Sequence, residues 1–296
     1  MKEYICIDIG GTTIKYGILQ EDETFRLTGE RPTEAMRDGG PGILAKIREI
    51  IAGFLPVCTP EGICISTAGM VDCDTGRITY AAPLIPNYTG AEIKRTLEDA
   101  FGLPCEVEND VNCAGLAEQF SGAARGSRIT LCLTVGTGIG GAILIDGKVF
   151  HGCSGSGCEV GYLHLPGGAF QDQAASSVLV KRAAAYQGRD PDTIDGKYVF
   201  AQAEQGDAAC IRAIDEMADT LGMGIANICY VLNPEVVVLG GGIMARQAYL
   251  APRIRRALDR YLIPSVAQHT RLAFAENQNQ AGMLGAYYHF RERHPV

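Results

Sequence analysis

Short apolar runs alternate with amphipathic stretches along the whole chain. Residues 4–9 (YICIDI) and 14–19 (IKYGIL) each read as a short strand, joined by the turn GGTT. Further strands are predicted at 62–66, 105–109, 130–135, 141–145 and 235–239. Ile43, Leu44, Ile47, Ile50, Ile51, Phe54 and Leu55 recur at helical spacing, and Pro56 stops them. Helices are also predicted at 91–101 with Gly102 as C-cap, 112–121, 173–187, 208–232 ended by Asn233-Pro234, 249–262 and 279–291. Residues 67–76 and 151–168 read as loops. Strand alternating with helix predicts an α/β protein with mostly covered sheets.

One pattern occurs twice. ICIDIGGTTIKYGIL (5–19) and LCLTVGTGIGGAILI (131–145) superpose with an offset of 126, which sets Asp8 on Thr134 and Gly10 on Gly136. Each reads as a hairpin with a glycine-hydroxyl turn. Two like hairpins a domain apart predict a duplicated two-lobe fold, with the hairpins facing each other across a cleft.

Composition narrows the function. The 296 residues allow one large domain or two mid-sized ones, and a charge of −8 with no Lys/Arg run longer than two residues speaks against nucleic acid or an anionic membrane as partner. No uncharged apolar window is long enough to span a bilayer, and no secretory leader is recognisable, so a cytoplasmic protein is expected. The eleven cysteines are odd in number and several sit within apolar elements, which fits free thiols better than disulfides.

The glycine clusters are the first candidate chemistry. In Asp8-Ile9-Gly10-Gly11-Thr12-Thr13, bare backbone N–H groups and hydroxyls can wrap phosphate oxygens, and Asp8 can hold a water bound to Mg²⁺. Lys15 either helps hold phosphate or lies on the surface. Gly136-Thr137-Gly138-Ile139-Gly140-Gly141 is followed by a strand rather than a helix, which speaks against a dinucleotide fingerprint and for a second phosphate hairpin. Gly240-Gly241-Gly242 follows an apolar strand and precedes a helix, a natural nucleotide contact or simply a tight turn.

The carboxylates come next. Asp110 lies where a strand ends and a helix begins, and such a residue serves either as an N-cap or as the base that a kinase needs to orient and deprotonate a hydroxyl. Glu159, in a glycine-rich loop, and Asn87, in PNYTG, are candidate partners for sugar hydroxyls. His151, Cys153, Cys158 and His164 lie close in sequence but match no standard zinc spacing.

DIGGTTIK, AGMVD, ENDVNCAGLAE, VGTGIGGAILIDGK, CEVGYLH and LGGGI, in this order and over essentially the whole chain, resemble the ROK family of repressors and sugar kinases. The resemblance implies a duplicated actin-like ATPase (ribonuclease H-like) fold, with ATP and Mg²⁺ as cofactors and a sugar as substrate. It implies a smaller N-terminal lobe over residues 1–112, on which a helix at about 279–296 packs back, and a larger lobe over 113–278. It makes Asp110 the general base and sets Asn109, Asp110 and Glu159 on the sugar, with Gly69 and Asn87 near it. Thr134 and the turns at 10–13 and 136–138 would hold phosphates, and Gly241 and Gly242 would lie near adenosine. Homodimers or homotetramers are also implied.

The chain departs from the family at one place. Many members carry a zinc site built from the His of GEIGH and a CxCGxxGC run; here that His is Tyr162 and the following stretch has no cysteine. The family zinc is therefore expected to be missing. Asp172 is the nearest candidate for the family's second sugar-binding Glu. Zinc-less relatives include kinases acting at the 6-hydroxyl of β-glucosides, which the closing NQAGMLGAYYHF resembles most; glucose and N-acetylmannosamine are the alternative substrates, and a catalytically inactive sugar sensor is the alternative role. The family's repressors carry a DNA-reading segment ahead of the first hairpin; here the hairpin starts at residue 5 and no such element is expected.

Overall fold

A computed structural model of the chain describes residues 1–83 and 85–295. In chain order its strands are β1 (Glu3–Ile9), β2 (Thr13–Gln20), β3 (Phe25–Pro32), β4 (Pro60–Thr67), β5 (Met70–Asp72), β6 (Arg77–Tyr80), β7 (Cys105–Asn109), β8 (Ile129–Val135), β9 (Ile139–Ile145), β10 (Lys148–Val149), β11 (His164–Leu165), β12 (Gly168–Ala169), β13 (Val236–Gly240) and β14 (Arg271–Phe274). The α-helices are α1 (Ala35–Phe54), α2 (Ile93–Phe101), α3 (Asp110–Ser121), α4 (Gln171–Ala174), α5 (Ser176–Gln187), α6 (Gly196–Glu204), α7 (Ala208–Leu232), α8 (Gln247–Tyr261), α9 (Pro264–Ala267) and α10 (Ala281–Arg293). The chain divides into two compact units. The first comprises Met1–Ser121, His151–Gly157 and Asn279–Val296; the second comprises Gly122–Phe150 and Cys158–Gln278.

The sheet of the first unit runs β3-β2-β1-β4-β7. β1 pairs antiparallel with β2 and parallel with β4, and β4 pairs parallel with β7. β1 is a central strand covered on both faces, which is why residues 4–9 read as a near-continuous hydrophobic run. Ile5, Ile7 and Ile9 pack with Ile43, Ile47 and Ile51 of α1 on one side. On the other, Tyr4 meets Tyr287 and Phe290 of α10 edge-on, and Gly62 leaves room for the Phe290 ring, which a Cβ there would approach to 2.2 Å.

The second unit repeats this topology as β10-β9-β8-β13-β14, with the same antiparallel hairpin followed by two parallel strands. Ile9 pairs with Ile14 around the first turn and Val135 with Ile139 around the second, so the second turn is one residue shorter. The offset of 126 therefore holds through the first strand of each hairpin and falls to 125 in the second, where Lys15 corresponds to Gly140. Two copies of one sheet topology make this the duplicated actin-like ATPase fold. The amphipathic α7 buries Met217, Leu221 and Ile225 against this second sheet, in a core that includes Phe170 and Val237.

Several elements depart from the sequence expectation. α1 begins at Ala35 rather than 43: a short first stretch precedes a kink at Gly39 (φ 58°) and Pro41, and the apolar stripe starts after it. β3 is a largely exposed edge strand without an alternating pattern. Residues 70–80 form the small hairpin β5–β6 rather than a loop. The helix expected at 173–187 is broken at Ala175, which is extended (ψ 157°). There Ser176 and Ser177 turn their hydroxyls to the carbonyls of Gly136 (2.5 Å) and Thr137 (2.9 Å). All eleven cysteines are unpaired. Among the described residues no helix is long and apolar enough to cross a membrane.

Candidate active site

In the first unit the strand ends of β1, β4 and β7 carry Asp8, Ser66, Thr67 and Asn109. Asn109 caps α3: its Oδ1 accepts from the N–H groups of Val111 (2.8 Å) and Asn112 (3.1 Å). Its Nδ2 donates to the Gly69 carbonyl (2.9 Å) and to Asp110 Oδ1 (3.0 Å). Asn109 thus does the capping that the sequence left open for Asp110. Asp110 Oδ1 also accepts from Val111 N (2.9 Å). Among the described residues, Oδ2 of Asp110 has no hydrogen-bond partner.

Burial, helped by the charge of Asp8, pushes the Asp110 carboxyl up to about 7 against the hydrogen bonds from Val111 and Asn109. Asp8 is raised too, by burial, although the Ser66 hydroxyl (2.7 Å) and the Lys15 charge oppose the shift. Gly282, in the first turn of α10, closes over Asp8: a Cβ there would stand 2.3 Å from the carboxyl carbon. Lys15 lies opposite Asp8 in the hairpin, and its Nζ reaches Asn279 Oδ1 at 3.4 Å.

The turn 10–13 is tied down on one side. Gly10 N donates to Thr13 O (3.0 Å), and Thr33 holds the carbonyls of Gly10 (2.6 Å) and Thr12 (2.8 Å) through its hydroxyl and N–H. Gly11 is open, with nothing within 4 Å of where a Cβ would stand. Asn87 is exposed and left-handed (φ 55°), and its carbonyl packs so close to Gly40 that a Cβ there would lie 2.4 Å away. Its neighbour Tyr88 is buried, shares a 2.6 Å hydrogen bond with Thr67, and feels the Asp110 charge.

In the second unit Thr134, next to last in β8, stands opposite Gly140, and the turn 136–138 closes through Gly136 N to Gly138 O (2.9 Å). Gly136 and Gly242 are open like Gly11, whereas a Cβ on Gly138 would stand 2.8 Å from Gln171 Oε1. Gly241 (φ 105°) lies so close to the end of β8 that a Cβ would come within 2.2 Å of Val135 O. The glycine cluster opens a short 3-10 turn, Gly242–Arg246, and α8 follows at Gln247. Glu159 precedes the 3-10 turn Val160–Tyr162, and partial desolvation raises its carboxyl. Tyr162 is 54% exposed, His164 is exposed, and Asp172 lies in the first turn of α4.

The fully buried Glu108 escaped the sequence reading as a functional group. It accepts from Asn109 N (2.7 Å), Asn112 Nδ2 (3.0 Å) and His151 Nε2 (2.6 Å). Of the four residues considered as an improvised metal set, His151 turns to Glu108 and Cys73 instead; Cys153 is exposed, and burial pushes Cys158 up to about 12. Ser66, Ser176, Ser177, Gln171 and Gly282 were also missed. Nothing in local sequence sets them apart, because each acts on a segment distant in the chain.

The sequence model of the ROK family matches residues 4–293. The chain belongs to the ROK family. Its relatives in that family include an uncharacterized protein of Clostridium perfringens, 53% identical over 98% of both chains. A β-glucoside kinase of Klebsiella pneumoniae is 33% identical over 97% of this chain and 95% of its own. The crystal structure of a ROK family glucokinase from Streptomyces griseus, in complex with glucose and AMPPNP, superposes with a TM-score of 0.84 at 28% identity, over 96% of this chain and 97% of that one.

Proposed function

We propose that this ROK protein is an ATP-dependent sugar kinase in which Asp110 is the general base. The observation that carries the reading is the Asp110 carboxylate. It is oriented by Asn109 and Val111, has one oxygen without a hydrogen-bond partner among the described residues, and is raised by burial and the Asp8 charge until it titrates near neutral pH at about 7. A base with that pKa is ionised in part at neutral pH and still basic enough to take a proton from an attacking alcohol.

The residues fit a bound nucleotide. The open backbone at Gly11, Gly136 and Gly242 presents bare peptide groups of the kind that hold phosphates, and Gly241 and Gly242 would lie near adenosine. Thr12, Thr13, Thr134, Thr137 and Gly138 complete the two turns, with Lys15 beside the first. Asp8 and Asp110 together leave a surplus of buried negative charge that a divalent cation would relieve, so Asp8 would hold Mg²⁺ through a water. When bound, Mg²⁺ neutralises charge spreading over the transferring phosphoryl group. Asp110 orients the sugar hydroxyl and accepts its proton as the oxygen attacks the γ-phosphorus of ATP; the bond to the β–γ bridging oxygen breaks, ADP leaves, and the proton passes to solvent. Asn109, Asn87 and the Gly69 carbonyl in the first unit, and Glu159 in the second, are proposed partners of the remaining sugar hydroxyls.

The 6-hydroxyl of a β-glucoside is the proposed acceptor. The Klebsiella β-glucoside kinase, 33% identical over nearly the whole chain, supports it. A direct test is incubation with Mg·ATP and equal concentrations of cellobiose, glucose or N-acetylmannosamine, with the phosphate located by ³¹P NMR. A 6-phosphate formed fastest on cellobiose supports the reading; faster turnover of glucose or N-acetylmannosamine overturns the substrate, and ATP binding without turnover of any sugar favours a sensor.

A further inference from the structure

Cys73, Glu108 and His151 come from three separate segments of the first unit, yet their ligating atoms lie within 4.8 Å of one another. His151 Nε2 is 2.6 Å from Glu108 Oε2 and 3.5 Å from Cys73 Sγ. Glu108 is fully buried at the end of β7, and Cys73 is partly buried just after β5. His151 opens the segment His151–Gly157, and its side chain is 33% exposed, so it has an approach from solvent. A second histidine bears on the same carboxylate: His289 of α10 is buried, its Nδ1 is 3.6 Å from Glu108 Oε2, and its buried Nε2 has no hydrogen-bond partner among the described residues.

We propose that Cys73, Glu108 and His151 form a binding site for a zinc-class divalent cation. A thiolate, an imidazole and a carboxylate are a donor set that zinc accepts, and three protein donors leave a fourth position for water or, after a ring shift, for His289. Donors 2.0–2.3 Å from one tetrahedral ion stand roughly 3.3–3.8 Å apart, so the short His151–Glu108 contact must open by about 1 Å. The exposed edge of His151 allows this. Binding releases the Cys73 thiol proton, and also the His151 ring proton when that ring is charged, to solvent.

The consequence is structural. The ion would fasten the segment starting at His151 to the end of the strand that carries Asn109, from a position in the sequence unlike the CxCGxxGC run that this chain lacks. The site rests on these side chains alone and does not depend on the kinase reading.

The test is Co²⁺ titration of tag-free protein after EDTA treatment, read by the near-ultraviolet thiolate-to-cobalt band and the visible bands of a tetrahedral ion. Metal content after zinc dialysis is measured in parallel. The expected result is about one ion per chain, a band lost in Cys73→Ser and kept in Cys153→Ser, and affinity at least about tenfold weaker in His151→Gln. Wild-type protein without a cobalt band or without stoichiometric zinc overturns the proposal without recourse to any variant. So does an unchanged band in folded Cys73→Ser, which would leave the cluster a buried ion pair with a thiol beside it.

Discussion

Asp8 and Asp110 stand on different elements of one unit, at the end of β1 and the start of α3, and the charge of Asp8 helps lift the Asp110 carboxyl to about 7. Burial is the larger cause for Asp110 and also raises Asp8. Two desolvated carboxylates this coupled resist being charged together, which is the electrostatic condition for a base that works near neutral pH.

The first prediction is the pH dependence of kcat/KM. Asp110 must be ionised to accept a proton, so activity rises through an apparent pKa near 7 and falls about tenfold per unit below it. Removing the Asp8 charge lowers the Asp110 pKa, so residual activity in Asp8→Asn shows its acidic limb at lower pH. An unmoved limb would mean that the two carboxylates do not interact.

The same shift predicts a stability effect of opposite sense. A carboxyl raised above its unfolded value adds stability below about pH 4 that is lost as pH climbs to about 7, so at pH 8 the folded protein carries the cost of a desolvated charge. Asp110→Asn removes that cost. The variant is expected to be more stable than wild type at pH 8 by roughly 1–3 kcal/mol, with the gap closing toward pH 4. Thermal melts across this range check it.

Glu108 and His151 behave in the reverse way. Hydrogen bonding to His151, with the charges of both nearby histidines, holds Glu108 below the usual carboxylate range despite its burial, and Glu108 raises His151. The Glu108 contribution is lost as pH falls below about 4.5, and the His151 contribution as pH rises past its folded pKa, above 6.5. In metal-free buffer, His151→Gln should therefore cost most near pH 6, on the order of 1–2 kcal/mol for a partly exposed partner, and least above pH 8. Urea melts at the two pH values measure the difference.

Two glycines separate stability from function. Gly241→Ala drives a methyl group into the Val135 carbonyl at a left-handed position (φ 105°) and should cost at least about 2 kcal/mol, visible as a lower melting temperature. Gly282→Ala improves a helix position but drives its methyl group into the Asp8 carboxylate, 2.3 Å away. Its expected signature is near-native stability with activity down at least about tenfold through a displaced Asp8.

How much of this was legible in the chain follows from what each residue touches. Central strands such as β1 and β13 declare themselves because apolar side chains cover both faces, and Gly102 and Asn233 mark their helix ends by left-handed caps. Asn109 and Asp110 were readable as a strand-to-helix junction, but which of them caps the helix is decided by Gly69, 40 residues away. β3 and the break at Ala175 were not readable: the first is an exposed edge strand, and the second exists because two serines bind a turn 40 residues earlier. Glu108 looked like one more strand residue, since the two histidines that face its carboxylate come from residues 151 and 289.

The measurement that tests the central claim most directly is sugar-dependent ADP release with Mg·ATP, run side by side on wild type and Asp110→Asn. The account predicts turnover of at least one sugar by wild type, and a loss of roughly 10²–10⁴-fold in kcat in the variant with ATP binding retained. A variant that kept a tenth of the wild-type rate, or a wild type silent on every sugar while binding ATP, would contradict it.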